Sequence, residues 1–271
     1  MTPFLFVVVN KSVRRCLFFS TISQFYTAPR ESKPTFLSDE KVLELTNKFK
    51  DDKSSVWNNE HIKTPLLKSS HGKCAYCECP ITLESNYMEV EHFEDKKHNE
   101  DKVVTWENLL PSCKKCKGSK STHNVIQEPI VNPYVDEPKD HLSMRSYRFR
   151  GKTDKGITTI EVTRLNHRSR SVLSRFEIGQ KVNESIDTAW ERHRIFTERK
   201  NTFSKNRLIS IVEGLLEECQ PKAIYSASTA TILLTDPMFV DLVLVMKAEN
   251  LWTDELEDLI QIGSTLILDC T

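Results

Sequence analysis

Apolar positions fall into distinct patterns along the chain, and each pattern predicts a different kind of structure. After Ser38, the side chains Val42, Leu43, Leu45 and Phe49 recur at helical spacing. Ser38 stands where its hydroxyl can cap the first amides, and Asp39 and Glu40 follow in the first turn, so an amphipathic helix is predicted. Between about residues 72 and 132 long periodic stretches disappear and cysteines cluster instead, as happens where a metal replaces part of a core. Tyr147-Arg148-Phe149-Arg150 then alternates, Gly151 to Gly156 reads as a loop, and Ile160 and Val162 alternate again. That predicts a hairpin whose Arg148 and Arg150 share one strand face. Beyond Ser171 helical spacing returns in Ile186, Trp190, His193 and Phe196, and again in Leu208, Ile211, Leu215 and Cys219. Asp236 before Pro237 predicts the N-cap and first residue of a very apolar helix through Met246.

The first 35 residues show no sustained period and end in a breaker-rich run up to Pro34, so the fold is expected to begin near Phe36. The apolar start from Pro3 to Val9 is far shorter than the roughly 20 residues of a membrane helix, and its basic residues follow it. Neither a signal peptide nor an anchor is expected, and the cytoplasm is the default location. The predicted organisation is an irregular extension over 1–35, a cysteine-bearing domain over 36–142, a basic hairpin-like segment over 143–170 and a helical region over 171–271.

Composition changes this picture only when it is taken regionally. The 271 residues carry 38 basic and 38 acidic side chains, a zero net charge that argues against a surface wholly wrapped by nucleic acid. Residues 145 to 175, however, hold nine basic side chains against Asp154 and Glu161, a balance of +7. From Asp236 to the end, eight acids face Lys247 alone. The basic segment suits a phosphate backbone; the competing reading is that it docks on the chain's own acidic helices.

The eight cysteines include two spaced pairs, Cys74-Ala75-Tyr76-Cys77 and Cys113-Lys114-Lys115-Cys116, with 35 residues between them. Four thiolates in this grouping suit a tetrahedral zinc with no open position for water, which makes the zinc structural. A redox role needs only one such pair, so zinc is the better reading. Cys79 is an odd thiol beside the first pair, expected as a bystander.

Within this frame lie Val90-Glu91-His92-Phe93, then Asn108 after Trp106, then Lys117 and Lys120 after the second cysteine pair. In this order and spacing, over about residues 72 to 123, the chain resembles the HNH endonuclease family. The resemblance implies an α+β fold: a zinc-framed ββα-metal nuclease core, here followed by a helical C-terminal region. It also implies metal-dependent hydrolysis of phosphodiesters in nucleic acid, most naturally DNA.

That chemistry needs a water stripped of its proton, a counter-charge on the phosphate and a neutralised leaving oxygen. His92 is the expected general base, since neutral imidazole takes a proton near pH 7. Glu91 is the expected carboxylate ligand of a catalytic Mg or Mn ion. Neighbours on an extended strand point to opposite faces, so the pair serves one site only at a strand end or bend. Asn108 resembles the family residue that braces the loop and orients the histidine, and Lys120 resembles its phosphate-contacting lysine. Lys117, with Arg148 and Arg150, joins the expected phosphate contacts.

One departure from the family pattern stands out. Asn, His or Asp usually follows the second cysteine pair as a metal ligand, and here the residue is Lys117, whose ammonium cannot coordinate. Three resolutions stay open: Lys117 stands in for part of the metal charge, His123, Asn124 or His98 supplies the ligand, or the site is crippled.

Further motifs narrow the resemblance: Gly72-Lys73-Cys74 leading into the first pair, Glu128 to Pro133, and Pro138 to Leu142. From about residues 64 to 165 the chain is similar to the HNH components encoded beside an ABC-type ATPase in Septu and retron anti-phage defence systems. That implies an ATPase protein partner. The rival reading is a catalytically inactive zinc module that binds nucleic acid or protein.

Overall fold

A computed structural model describes residues 30–84 and 86–270. Most of the expected N-terminal extension, residues 1–29, lies outside the described residues. The fold is engaged from Arg30, six residues before the expected start. Its guanidinium stacks on the rings of Trp106 and Tyr134, and the Glu31 amide donates to Ser69 Oγ at 3.0 Å.

Two helices open the chain. α1, Asp39–Asp52, is capped by Ser38, whose hydroxyl accepts from the Lys41 amide, and it buries Leu45 and Phe49. α2, Glu60–Ser69, is capped by Asn59 and buries Ile62 and Leu66. The link between them carries Trp57, which is buried.

A three-stranded antiparallel sheet follows in the order β1 (Thr82–Leu83), β2 (Asn86–His92) and β3 (Leu109–Cys113). β2 and β3 pair with Glu91 opposite Leu110 and His92 opposite Leu109. α3, Lys114–Lys120, leaves β3 directly, because the Cys113 sulfur accepts from the Cys116 amide and so serves as N-cap. The unit is thus strand, strand, helix, with the long β2–β3 connection looping out through residues 93–108.

A second, two-stranded sheet pairs β4, Leu142–Arg145, with β5, Arg148–Gly151, after the short α4, Pro138–His141. The expected hairpin exists one strand earlier than the alternation places it. Ser146 and Tyr147 form its turn at φ 48° and 63°, without the glycine that would announce it. The expected second strand around Ile160 and Val162 is instead helix α5, Asp154–Val162. Thr153 caps it by accepting from the Gly156 amide. Gly156 serves no loop: a Cβ there would lie 2.0 Å from the His141 carbonyl oxygen, so it permits close packing of α5 on α4.

Five helices complete the chain: α6 (Leu173–Arg199), α7 (Thr202–Glu217), α8 (Ser226–Leu234), α9 (Pro237–Ala248) and α10 (Asp254–Ser264). α9 is capped as its sequence predicts, with Asp236 accepting from the Met238 and Phe239 amides. α8 and α9 are apolar because they are core helices; among the described residues no single helix is long and apolar enough to cross a membrane.

The described residues form two apolar cores. The first holds Leu37, Leu66, Val104, Leu109 and Leu110 with the cysteines, and the second holds Leu208, Leu216, Leu233, Phe239 and Met246. Ile232 packs against both. Polar groups join them as well: buried Lys73 donates to the Pro221 and Ala223 carbonyls at 2.6 and 2.9 Å and to Ser226 Oγ at 3.0 Å. The Glu78 carboxylate accepts from the Ser226 hydroxyl at 2.9 Å and the Ala227 amide at 3.2 Å.

Candidate active site

The cysteine frame forms as the spacing requires. The Sγ atoms of Cys74, Cys77, Cys113 and Cys116 all lie within 4.8 Å of one another and all four residues are buried. Cys77 and Cys113 are 3.9 Å apart, close to the roughly 3.8 Å between ligands of a tetrahedral zinc with Zn–S bonds of about 2.3 Å. The donor set therefore suits zinc. Backbone bonds fold the first knuckle, Glu78 N to Cys74 O and Cys74 N to Cys79 O, both 2.9 Å, and Ala75 N to Pro111 O ties it to β3. Cys79 stays outside the cluster and accepts from Asn86 Nδ2 at 3.4 Å. Arg170, noticed in the sequence only as part of a basic count, approaches Cys113 Sγ at 3.9 Å, where its charge offsets that of a four-thiolate centre.

Glu91 and His92 are the last two residues of β2, and both are buried. His92 Nε2 lies 2.9 Å from the Val103 carbonyl oxygen. A carbonyl can only accept, so Nε2 carries the hydrogen and Nδ1 keeps the basic lone pair. The Trp57 ring packs edge-on against the imidazole at 4.6 Å. Burial pushes the His92 pKa down to about 4, opposed by its bond to Val103, so the ring is neutral at pH 7.

Asn108 bonds back across the 93–108 loop. Its Oδ1 accepts from the Glu94 amide at 2.7 Å, and its Nδ2 donates to the Glu94 and Lys102 carbonyls, each at 3.1 Å. Lys102 immediately precedes Val103, so Asn108 fixes the peptide whose neighbour fixes His92. Neither that backbone route nor the Trp57 contact shows as a motif, because carbonyls carry no residue signature.

Glu91 departs from expectation. Its Oε1 accepts from Lys120 Nζ at 2.8 Å, and the same ammonium donates to the His92 carbonyl at 2.9 Å. The Lys120 side chain is 0% exposed and that of Glu91 5%, so Lys120 faces a carboxylate and not an incoming phosphate. Burial raises the Glu91 pKa, opposed by Lys120, Lys117 and Lys96. Lys117 likewise pairs with Glu89 at 2.8 Å. His123, an expected metal ligand, turns to the Glu128 carbonyl at 2.8 Å, and His98 lies 3.6 Å from Asp95. Among the described residues, the four cysteines are the only group of three or more His, Cys, Asp or Glu whose ligand atoms converge. A catalytic Mg or Mn ion therefore finds no support at Glu91, whose Oε1 already holds the Lys120 ammonium.

Arg148 and Arg150 share the outward face of β5 while Phe149 turns inward, as expected. They sit on the two-stranded sheet, not on the sheet that carries Glu91 and His92. Lys114 and Lys115 are exposed along α3.

Comparison with known proteins adds the family. The chain is 41% identical over 241 residues to the Septu protein PtuB of Bacillus thuringiensis, which covers 88% of this chain and 93% of that one. The chain belongs to the Septu PtuB family. It is also 30% identical over 146 residues to Septu protein PtuB of Bacillus mycoides (strain KBAB4), covering 42% of this chain and 49% of the relative. As a PtuB family member it is a component of anti-phage defence. No protein-family model and no solved structure matches it.

Proposed function

We propose that this PtuB family member is an HNH-type nuclease that hydrolyses phosphodiester bonds, most naturally of DNA, in company with an ABC-type ATPase. The observation that carries the reading is His92: a neutral imidazole at a strand end, its Nε2–H spent on the Val103 carbonyl and its Nδ1 left basic. Nδ1 takes the proton of the attacking water as its oxygen bonds to phosphorus and the opposite P–O bond breaks, the leaving oxygen taking its proton from solvent. Asn108 holds the loop that orients the ring, and the exposed lysines of α3 face the phosphate charge. Phosphate arriving beside the imidazole favours its charged form and raises its basicity during the reaction.

His92 is only 3% exposed, with the Trp57 ring edge-on against it, so substrate reaches it only after a local opening. A closed site is consistent with a nuclease that stays silent until a partner opens it. The test is to incubate zinc-loaded protein with plasmid and single-stranded DNA, alone and with its Septu partner. Cleavage is the expected result.

A second reading, a binding module without catalysis, is favoured by the lysine seated on Glu91. It expects salt-dependent DNA binding and no cutting under either condition.

A further inference from the structure

Two lysines one helical turn apart on α3 face two glutamates two residues apart on β2. Lys117 pairs with Glu89 and Lys120 with Glu91, both at 2.8 Å. Positions i and i+3 on a helix, and i and i+2 on a strand, each line one face, so the register of helix on strand produces both pairs together. The inner pair is sealed, with Lys120 making a second bond to the His92 carbonyl. Two neighbouring groups that could complete a metal site are committed elsewhere, His123 to Glu128 and Glu89 to Lys117, and His92 offers only its Nδ1, since Nε2 is bonded to Val103.

We propose that Lys120 is the resident cation of the Glu91 carboxylate and that this site binds no divalent metal ion. The ammonium does electrostatically what a metal would do for the buried carboxylate, since either neutralises a charge that burial opposes. A divalent ion at Glu91 would have to displace it, leaving an unpaired buried ammonium beside a doubly charged ion. Lys117 reinforces the exclusion, because its charge acts on Glu91 and repels a metal. The four-cysteine frame is a separate group, and among the described residues it is the one cluster of three or more His, Cys, Asp or Glu that could hold a metal. This inference deepens the nuclease reading and rests on it for its chemical meaning, while its test reads ion binding and not cleavage.

The probe is Mn2+ titrated into zinc-loaded full-length protein, with bound ion read from the loss of the aqueous Mn2+ paramagnetic resonance signal. Wild type is expected to take up no Mn2+ at millimolar concentration and to match Glu91→Gln. Lys120→Met, which keeps the stem and removes the ammonium, is expected to gain one Mn2+ per chain, and the added Glu91→Gln change to abolish it. Zinc content and tryptophan emission show beforehand that each variant is folded. Should Lys120→Met not fold, the wild-type titration decides alone. One equivalent bound by wild type and lost in Glu91→Gln overturns the proposal, as does a folded Lys120→Met that gains no site. Absence of DNA cleavage in parallel samples that also contain the Septu partner would remove the nuclease reading and leave the Mn2+ result standing.

Discussion

The two cores of this molecule are built from different materials. The second, formed by α6 to α10, is filled by leucine, valine, phenylalanine and methionine. The polar groups buried around it are mostly hydroxyls that bond their own helix, as Thr229 does to Tyr225 O at 3.1 Å and Thr231 to Ala227 O at 2.6 Å. Such bonds cost little, because donor and acceptor are already neighbours. The first core buries Glu91, His92, Asp95, Asn108 and Lys120 among its leucines and valines. Isolated buried charges are costly, and a buried ion pair is often no more stable than an apolar replacement of the same volume. Stability alone explains the second core and not the first. The region that keeps carboxylates and a histidine inside is also the one framed by the four cysteines. Arg175 of α6, also fully buried, reaches out of its helix to the Tyr147 and Leu165 carbonyls and lies over Phe149 of the first core.

Removing zinc should break this contrast most completely. A structural four-cysteine centre contributes on the order of 10 kcal/mol to the fold around it, whereas the helical core holds no metal group. Trp57 and Trp106 belong to the first core, and Trp190 and Trp252 pack against the second. Chelation is expected to abolish the buried emission of the first two tryptophans and spare that of the second pair, as read in variants that keep one pair at a time. Simultaneous loss of both signals would mean that the two cores unfold as one.

Lys120→Met comes next. It strands Glu91 without a partner and should destabilise by about 3–5 kcal/mol in denaturant unfolding. Lys120→Met combined with Glu91→Leu should recover most of that loss, because no charge is then left uncompensated. Equal destabilisation in single and double variants would contradict a role for the pair in Glu91's burial.

Acid sharpens the contrast further. His92 has a pKa of about 4 in the folded protein against 6.5 as its ordinary value. The unfolded chain therefore binds its proton first as pH falls. The stabilisation is fully present above about pH 6.5 and is lost on the way down to about pH 4, a loss of about 3 kcal/mol. Zinc release also depends on pH, so the quantity to measure is wild type minus His92→Gln, whose amide can still donate to Val103. A difference that does not change between pH 7 and pH 4.5 would refute the depressed value.

At helix caps the two regions should behave alike. Ser38→Ala in the first and Asp236→Ala in the second each remove a side-chain acceptor, and each is expected to cost about 1 kcal/mol in thermal or denaturant unfolding.

Much of this was legible from sequence for definite physical reasons. The cysteine frame follows from thiolate spacing, and α1 and α9 follow from a cap joined to a helical apolar stripe. Glu91 and His92 at the end of β2, and Asn108 in the following loop, follow from the motif order. Other features were hidden. The hairpin turn at Ser146 and Tyr147 carries no glycine to mark it, and the isoleucine and valine residues of α5 suit β structure as well as helix. The partners of His92 and Asn108 are backbone carbonyls, which no side-chain pattern reveals. Lys120 looked like a phosphate contact because position along the chain does not say whether an ammonium faces solvent or a buried carboxylate.

We propose that His92 acts as the base of a hydrolytic site. The most direct test is single-turnover cleavage of DNA by wild type and by His92→Ala, both zinc-loaded and both supplied with the Septu partner. The account predicts cleavage by wild type and a roughly 100- to 10,000-fold slower reaction in the variant, with DNA binding retained. Equal rates in the two proteins would contradict it.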